Sequence, residues 1–163
     1  MIFPRWLGAG CGLVLLCPVA LAADWPQWRG PLRTGQVPPG EPVPDKLSIE
    51  PKLVWRIKVG EGLASPVVAA GKVFYFDNSD GKETIHAISV STSAEVWRKD
   101  IDAPFQDMQG PNGPRCTPVV DGDRLYALSC KGELQCLYVA NGKLVWRANF
   151  TDDFGAVFIG ENE

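Results

Sequence analysis

The 163-residue sequence contains a single histidine, His86, and this scarcity excludes most familiar metal and acid–base chemistries. Zinc sites usually combine several His and Cys side chains, and a Ser-His-Asp triad needs a histidine beside a nucleophile. No two cysteines form a C-x-x-C pair, so a zinc site is not expected. Because no Ser or Cys nucleophile can be matched to His86, we expect a packed or edge histidine rather than a catalytic base.

The sequence also lacks an excess of positive charge. It has 16 Lys and Arg residues against 19 Asp and Glu residues, for a formal net charge of −3, and the basic residues form no cluster. A nucleic-acid-binding surface needs a basic stripe to contact phosphates, so nucleic acid is not an expected partner. The hydrophobic content of 45% and the charged content of 21% are those of a globular protein rather than a disordered one.

A long apolar run occurs at the N-terminus, where Arg5 precedes a stretch that ends in the small-residue sequence A-L-A at 20–22. This pattern predicts a signal peptide over residues 1–22, with cleavage before Ala23. A retained anchor is the alternative, but Pro18 interrupts a segment that only just reaches membrane-spanning length. We therefore expect a periplasmic or secreted protein that keeps no stable membrane span after cleavage.

Export would allow cysteines to pair, because the compartment is oxidising. The mature chain keeps an odd number of them, Cys116, Cys130 and Cys136. Cys130 and Cys136 flank the predicted hairpin tip K-G-E at 131–133, so they could face one another across adjacent strands. Alternatively, all three are small buried apolar residues.

Glycine (17) and proline (14) are abundant, which predicts a turn-rich, all-β chain. Residues 23–50 are especially rich in both and show little periodicity, so we interpret them as an extended entry segment. Trp25 and Trp28 in this segment are costly to expose, and we expect both to pack against the domain that follows. A flexible linker is the competing interpretation.

Residues 51–163 repeat. The sequence S-P-V-V around Pro66 recurs as T-P-V-V around Pro118, and an aromatic residue follows each proline after the same spacing, at Phe74 and Tyr126. A glycine-containing turn lies between apolar pairs in both copies, as in a β-hairpin. Two further turns and strands follow in each copy, so each unit has four short strands.

Each unit ends with a Trp-Arg pair, at Trp97 and at Trp146, and a further such pair at Trp55 precedes the first complete unit. Successive tryptophans of this series are 42 and 49 residues apart. A repeat of about 45 residues is the size of one four-stranded propeller blade. We therefore predict a partial β-propeller of four-stranded antiparallel blades, with about two to two and a half blades in residues 51–163. The expected structural positions of the repeat are Trp55, Trp97, Trp146, Pro66, Pro118, Gly132 and Gly142.

The second interval is longer because of a loop between the two complete units. Long loops carry binding functions more often than strands do. If the chain has a binding surface, we expect it at Gln109, Asn112 and Arg115 of this loop. The alternative is a plain connection between blades.

The sequences G-D-R-L-Y-A-L at 122–128 and A-N-G-K-L-V-W-R at 140–147 resemble the pyrroloquinoline-quinone (PQQ)-type propeller repeat. The entry sequence W-P-Q-W-R-G-P at 25–31 is similar to the start of exported bacterial proteins of that class. One departure is T-S-A at 92–94, where the repeat has a turn glycine. The resemblance is specific for the repeat, not for an activity.

This resemblance implies two possible functions, since the family contains quinoprotein dehydrogenases and scaffold proteins without a cofactor. The dehydrogenases use a catalytic Asp, Glu and Asn ligands to Ca²⁺, and often an adjacent pair of cysteines, whereas this sequence has neither adjacent cysteines nor a matching acidic cluster. We therefore predict an exported, non-catalytic binding or scaffold module without a cofactor, part of a longer propeller, whose partner is an unknown protein or small molecule.

The first alternative is the N-terminal part of a PQQ-dependent dehydrogenase whose catalytic residues, PQQ and Ca²⁺ belong to missing blades. A second alternative is a propeller associated with a periplasmic or extracellular hydrolase. Because two or three blades cannot close a ring, we also expect the chain to self-associate through its exposed blade surfaces.

Overall fold

The computed structural model of the chain describes residues 23–106, 108 and 110–157, so the predicted signal peptide lies outside the described residues. Eight strands and one short helix follow one another along the chain. They are β1 (Val67–Ala69), β2 (Lys72–Ser79), β3 (Lys82–Ser89), β4 (Glu95–Asp102), β5 (Val119–Asp121), β6 (Arg124–Leu128), β7 (Glu133–Tyr138), β8 (Leu144–Asn149) and α1 (Phe150–Phe154).

The strands form two four-stranded antiparallel sheets, each with its strands in chain order, β1-β2-β3-β4 and β5-β6-β7-β8. Every strand pairs with the next through a short turn, so each sheet is an up-and-down meander of the size of one propeller blade. We call the first sheet blade 1 and the second blade 2. The prediction of two complete four-stranded units in an essentially all-β chain is confirmed.

The turns explain why the hairpins fall where the repeat predicts them. Ala70 and Gly71 join β1 to β2 with positive φ angles of 49° and 68°, and Asp80 and Gly81 join β2 to β3 with angles of 52° and 76°. Positive φ at both central residues defines a type I′ turn, which matches the twist of the flanking strands. The second turn contains only these two residues, because β2 continues as far as Ser79 and β3 begins at Lys82.

The two blades share one hydrophobic core. β1 lies next to β5, and β4 lies next to β7, so the inner part of blade 1 packs on blade 2. Burying apolar side chains between sheets is the main favourable contribution to this packing. The core residues are Val67, Ala69, Phe74, Phe76, Ile85, Ala87, Ile101, Val120, Leu125, Ala127, Leu137 and Val139.

The entry segment crosses the inner edge of both blades. Trp25 and Val68 exchange backbone hydrogen bonds of 2.7 and 2.9 Å, and the Val120 amide donates to the carbonyl oxygen of Pro26 at 2.8 Å. Trp25 is thus attached to blade 1 through its backbone, and its half-buried ring lies over Gly30 of the same segment. The expectation for Trp28 is wrong, because 60% of this residue is exposed and its ring lies beside the Arg29 guanidinium instead of the core.

The helix α1 was not expected. Asn149 accepts hydrogen bonds from the amides of Thr151 and Asp152, and Gly155 ends the helix with a positive φ of 67°. An N-cap asparagine followed by acidic residues and a terminal glycine is a readable helix signal, here within a single turn and a half. Among the described residues, no helix is long and apolar enough to cross a membrane.

The missing turn glycine of blade 1 leads to a stability prediction. Ser93 adopts a φ of 57°, the left-handed conformation that Gly142 adopts in blade 2. Replacing Ser93 with glycine should raise the free energy of unfolding by about 0.5–1 kcal/mol, because a side chain is disfavoured in this conformation. Urea denaturation measures the change. The control Ser91→Gly, at a position of the same loop without positive φ, should not be stabilised, and a Ser93→Gly protein no more stable than the wild type would contradict the account.

Candidate functional site

The blades are joined by the tryptophan that ends blade 1. Trp97 lies on β4, and its indole Nε1 donates to the carbonyl oxygen of Val139 in blade 2 at 3.0 Å. The ring lies on Gly142, where an added Cβ would approach the ring carbons to 2.6 Å. Only glycine fits under the ring, and its φ of 66° also favours glycine. Trp97 and Gly142 therefore form one interlocked contact between successive blades.

Trp55 makes the equivalent contact with blade 1. Its indole Nε1 donates to the carbonyl oxygen of Val90 at 2.9 Å, and Val90 holds the same repeat position as Val139. Residues 51–60 nevertheless belong to no strand. Trp55 thus takes the place of the tryptophan on the last strand of a preceding blade. The rest of such a blade is not found among the described residues.

Trp146 is the third tryptophan of the series, and no further blade lies beside it among the residues that the structure describes. It lies on β8 opposite Cys136, and its ring packs against Tyr126 with centroids 6.0 Å apart. The residue is 43% exposed, and within the described part of the chain its indole donates no hydrogen bond. The surface beside Trp146 is therefore open, unlike the surface beside Trp97.

The remaining repeat positions differ between the copies according to what covers them. Pro118 is fully buried before β5, whereas Pro66 is exposed before β1 and borders an open cleft. Blade 1 covers the start of blade 2, but in the described portion of the chain no complete blade covers the start of blade 1. Gly132 has a φ of 87° in the turn before β7, and its carbonyl oxygen accepts a hydrogen bond from the Phe150 amide.

The predicted binding loop connects β4 to β5 and is folded back on itself. The Arg115 guanidinium donates to the carbonyl oxygens of Pro111 at 2.7 Å and Gly113 at 3.2 Å, and it lies 5.9 Å from the centre of the Phe105 ring. Arg115 therefore holds the loop together. Asn112 is half-buried, and Gln109 lies outside the described residues.

A buried carboxylate, which sequence analysis missed, anchors this loop to blade 2. Glu83 is fully buried on β3, and its two oxygens accept hydrogen bonds of 3.2 Å from the amides of Phe105 and Cys130. Burial raises the pKa of Glu83 despite these bonds. A second link joins the same surfaces, since the Ser129 hydroxyl donates to Asp102 at 2.7 Å. The only sequence feature that could have indicated this anchor is an acidic residue in an otherwise buried strand.

His86 is the centre of a second buried polar group. Its Nδ1 lies 2.7 Å from Glu95 and its Nε2 lies 3.2 Å from Asp77, while Tyr75 stacks on the ring at 4.5 Å. Burial acts to lower the pKa of His86, but the hydrogen bonds to the two carboxylates outweigh it and raise the pKa. For Asp77, hydrogen bonds from His86, Gly60 and Ser79 overcome the opposing effect of burial and lower the pKa.

This arrangement confirms the expected packed histidine and argues against a catalytic base. The Ser79 hydroxyl lies 3.4 Å from Nε2, but it donates to Asp77 at 2.8 Å. Both ring nitrogens of His86 lie within hydrogen-bond distance of a carboxylate, so neither is left free to take a proton from a serine. The histidine instead connects β2 to β4.

An apolar cleft of about 360 Å³ lies beside this group. The second oxygen of Asp77 accepts a 2.6 Å hydrogen bond from the Gly60 amide, which holds residues 55–66 alongside β2. Trp55, Val59 and Tyr75 are among the lining residues. Within residues 23–106, 108 and 110–157, no group of three or more His, Cys, Asp or Glu side chains could hold a metal ion.

Comparison with known proteins identifies the repeat. A family model for PQQ-like repeats, described as the outer membrane protein assembly factor BamB, matches residues 81–162. The chain belongs to this PQQ-like repeat family. The match begins at the turn before β3 and contains all of blade 2, so the family's repeat corresponds to the blades described above. No curated protein sequence matches the chain.

Three solved structures are similar to parts of this PQQ-like chain. Quinohemoprotein alcohol dehydrogenase from Comamonas testosteroni is 23% identical over 58% of the chain and 14% of its own length, with a TM-score of 0.43. BamB from Moraxella catarrhalis is 17% identical over 48% and 20%, with a score of 0.36. A europium-containing methanol dehydrogenase is 15% identical over 60% and 18%, with a score of 0.47. The chain therefore spans a fifth or less of each of these proteins.

The blade contact predicts unequal effects of two matched substitutions. Trp97→Ala should lower the free energy of unfolding by about 3 kcal/mol, because it removes the ring packed on Gly142 and leaves a cavity between the blades. Trp146→Ala, at the equivalent position of blade 2, should cost about 1 kcal/mol or less, because this ring is already partly in solvent. Urea denaturation of both variants provides the comparison, and equal losses would contradict the assignment.

The His86 group predicts a pH dependence of stability. Its pKa is raised above 6.5 in the folded protein, so the folded state keeps the proton longer than the unfolded state as the pH rises. The stabilisation is fully present below pH 6.5 and is lost as the pH rises through the folded-state pKa. Denaturation between pH 5.5 and 9 should show this decrease for the wild type. The His86→Gln protein should lack it, and the same decrease in both proteins would rule out His86 as its source.

Proposed function

We propose that the chain is an exported, non-catalytic binding or scaffold module that forms part of a longer PQQ-like propeller. The observation that carries this proposal is the contrast between two equivalent tryptophans. Trp97 is covered by a turn of the next blade and bonded to Val139, while Trp146 occupies the same position and is open. The partner that fits Trp146 is a further blade of the same repeat, with a carbonyl oxygen and a glycine turn in the corresponding places.

The beginning of the repeat region supports the same proposal. Trp55 contacts blade 1 as a preceding blade would, but the residues around it have no strand partners and Leu53 and Val54 are exposed. Closed propellers contain about 4 to 8 blades, whereas two complete blades are described here. The chain thus presents unsatisfied surfaces at both sides of a two-blade unit, and such surfaces favour interaction with further sheets.

A scaffold role is supported by how the buried acidic residues are used. Glu83 binds two backbone amides, Asp77 binds His86 and Gly60, and Glu133 binds Arg147. These carboxylates stabilise the fold and are not collected into a site for the Ca²⁺ that accompanies PQQ, so the described residues do not fit that ion. The description of the matching family as an outer membrane assembly factor supports both export and a structural role.

The open blade surface predicts self-association of the isolated mature chain. Light scattering over a range of concentrations should show species larger than the monomer, because the apolar surface around Trp146 and Leu144 gains stability when it is covered. Trp146→Ser should shift the distribution toward monomer. The control Trp28→Ser removes a tryptophan outside the repeat that is more exposed than Trp146, and it should not shift the distribution. A wild-type monomer at all concentrations would contradict the prediction.

The dehydrogenase alternative has its own test. The purified chain is incubated with PQQ and Ca²⁺, passed through a desalting column, and examined for the quinone absorbance and for dye reduction with alcohols. The proposal predicts that no quinone is retained by this chain. Retained quinone together with dye reduction would overturn the non-catalytic assignment while leaving the blade structure intact.

A further inference from the structure

Two of the three described cysteines lie at the junction between the blades. Cys130 is in the turn between β6 and β7, and its sulfur is 3.5 Å from the carbonyl oxygen of Gly113 in the connecting loop. The backbone N–H of Arg115 donates to the same sulfur. The Cys130 sulfur therefore rests on the loop backbone at residues 113–115, and Cys116 is the next residue.

The surroundings of the two thiols are also shared. Both cysteines are half-buried, and both lie close enough to the Glu83 carboxyl for its charge to affect them. Burial, followed by the Glu83 charge, raises the pKa of Cys130 to about 11 and also raises the pKa of Cys116. Cys116 itself contributes to the shift of Cys130, which places the two thiols in one electrostatic environment.

Cys136 is not part of this group. It is buried in β7, where its cross-strand neighbours are Tyr126 on β6 and Trp146 on β8. Cys130 lies beyond the end of β6, and it is not the cross-strand partner of Cys136. The arrangement thus contradicts the expectation that Cys130 and Cys136 could face one another across adjacent strands. All three thiols are free in this structure.

We propose that Cys116 and Cys130 form a reversible disulfide that fastens the connecting loop to blade 2. The Cys130 sulfur contacts the backbone of residues 113 and 115, and the Cα atom of Cys116 is only about 3.8 Å from that of Arg115. A bridge needs Cα atoms about 4.4–6.8 Å apart, and the proposal is that the loop brings Cys116 to this separation from Cys130. Two S–H bonds break and one S–S bond forms. Two protons are released, and two electrons pass to an oxidised dithiol protein or an equivalent oxidant.

Burial and the neighbouring Glu83 carboxyl both affect how readily this reaction occurs. Disulfide exchange proceeds through the thiolate, and groups with raised pKa values are mostly protonated at neutral pH. Oxidation of the folded protein is therefore slow near pH 7 and becomes faster as the pH rises. Removing the carboxylate charge with Glu83→Gln should accelerate it several-fold at a fixed pH.

Peptide mapping tests the pairing directly, because trypsin separates the three cysteines. Cys116 falls in the peptide 116–124, Cys130 in 125–131 and Cys136 in 132–143. The folded chain is oxidised with diamide at pH 8.5, alkylated and digested without reductant. We expect the first two peptides to be linked, with a mass two hydrogens below their sum, and to separate after reduction. Three unlinked alkylated peptides, or a link to 132–143, would overturn the proposal.

Variants and thermal melting give a second readout. Closing a loop of 15 residues should raise the Tm of the oxidised protein by about 5–10 °C relative to the reduced protein. Cys136→Ser should keep this difference and Cys116→Ser should abolish it. A monomer band on a non-reducing gel verifies that the link lies within one chain. A link only between chains, or a Tm difference that survives Cys116→Ser, would contradict the proposed bridge.

Discussion

The structure depends on the contact between the Trp97 ring and Gly142. A four-stranded blade has two faces, and neither can be buried within the blade itself, so each blade needs a neighbour. The Trp97 ring fills the space where the outer strands of successive sheets diverge, and its indole N–H binds the Val139 carbonyl oxygen that the turn presents. The turn glycine is as necessary as the tryptophan, because a side chain at residue 142 would occupy the position of the ring.

Polar groups complete the junction closer to the connecting loop. Glu83 holds the amides of both Phe105 and Cys130, and Asp102 holds Ser129, so blade 1 carboxylates satisfy donors of the loop and of blade 2. Buried donors without partners would be costly, which makes these contacts specific to one arrangement of the blades. The result is a two-blade unit whose interior contacts fix one arrangement of the blades and whose surface is open at Trp146. That combination is the basis of the binding or scaffold role proposed above.

Much of the fold could be predicted because its signals are local and repeated. The Gly-containing turns, the apolar strands and the Trp-Arg endings each recur at the period of one blade, which also identified Trp97 and Gly142 as structural positions. Pairings between residues distant in sequence could not be predicted in this way. The partners of His86 depend on the register of β2, β3 and β4, and those of Glu83 on how the loop crosses blade 2. Composition likewise gave no means of distinguishing the half-buried Trp25 from the exposed Trp28.

Hydrogen exchange measured on the wild type and on Gly142→Ala tests most directly whether the blades depend on one another. If the Trp97 contact joins them into one cooperative unit, slowly exchanging amides of β3 and β7 should report the same opening free energy in the wild type. In Gly142→Ala, an added Cβ displaces the ring, so protection should fall in both strands. Wild-type strands that exchange with clearly different opening free energies, or a substitution that leaves β3 fully protected while β7 loosens, would show that the blades are stable independently and would contradict this account.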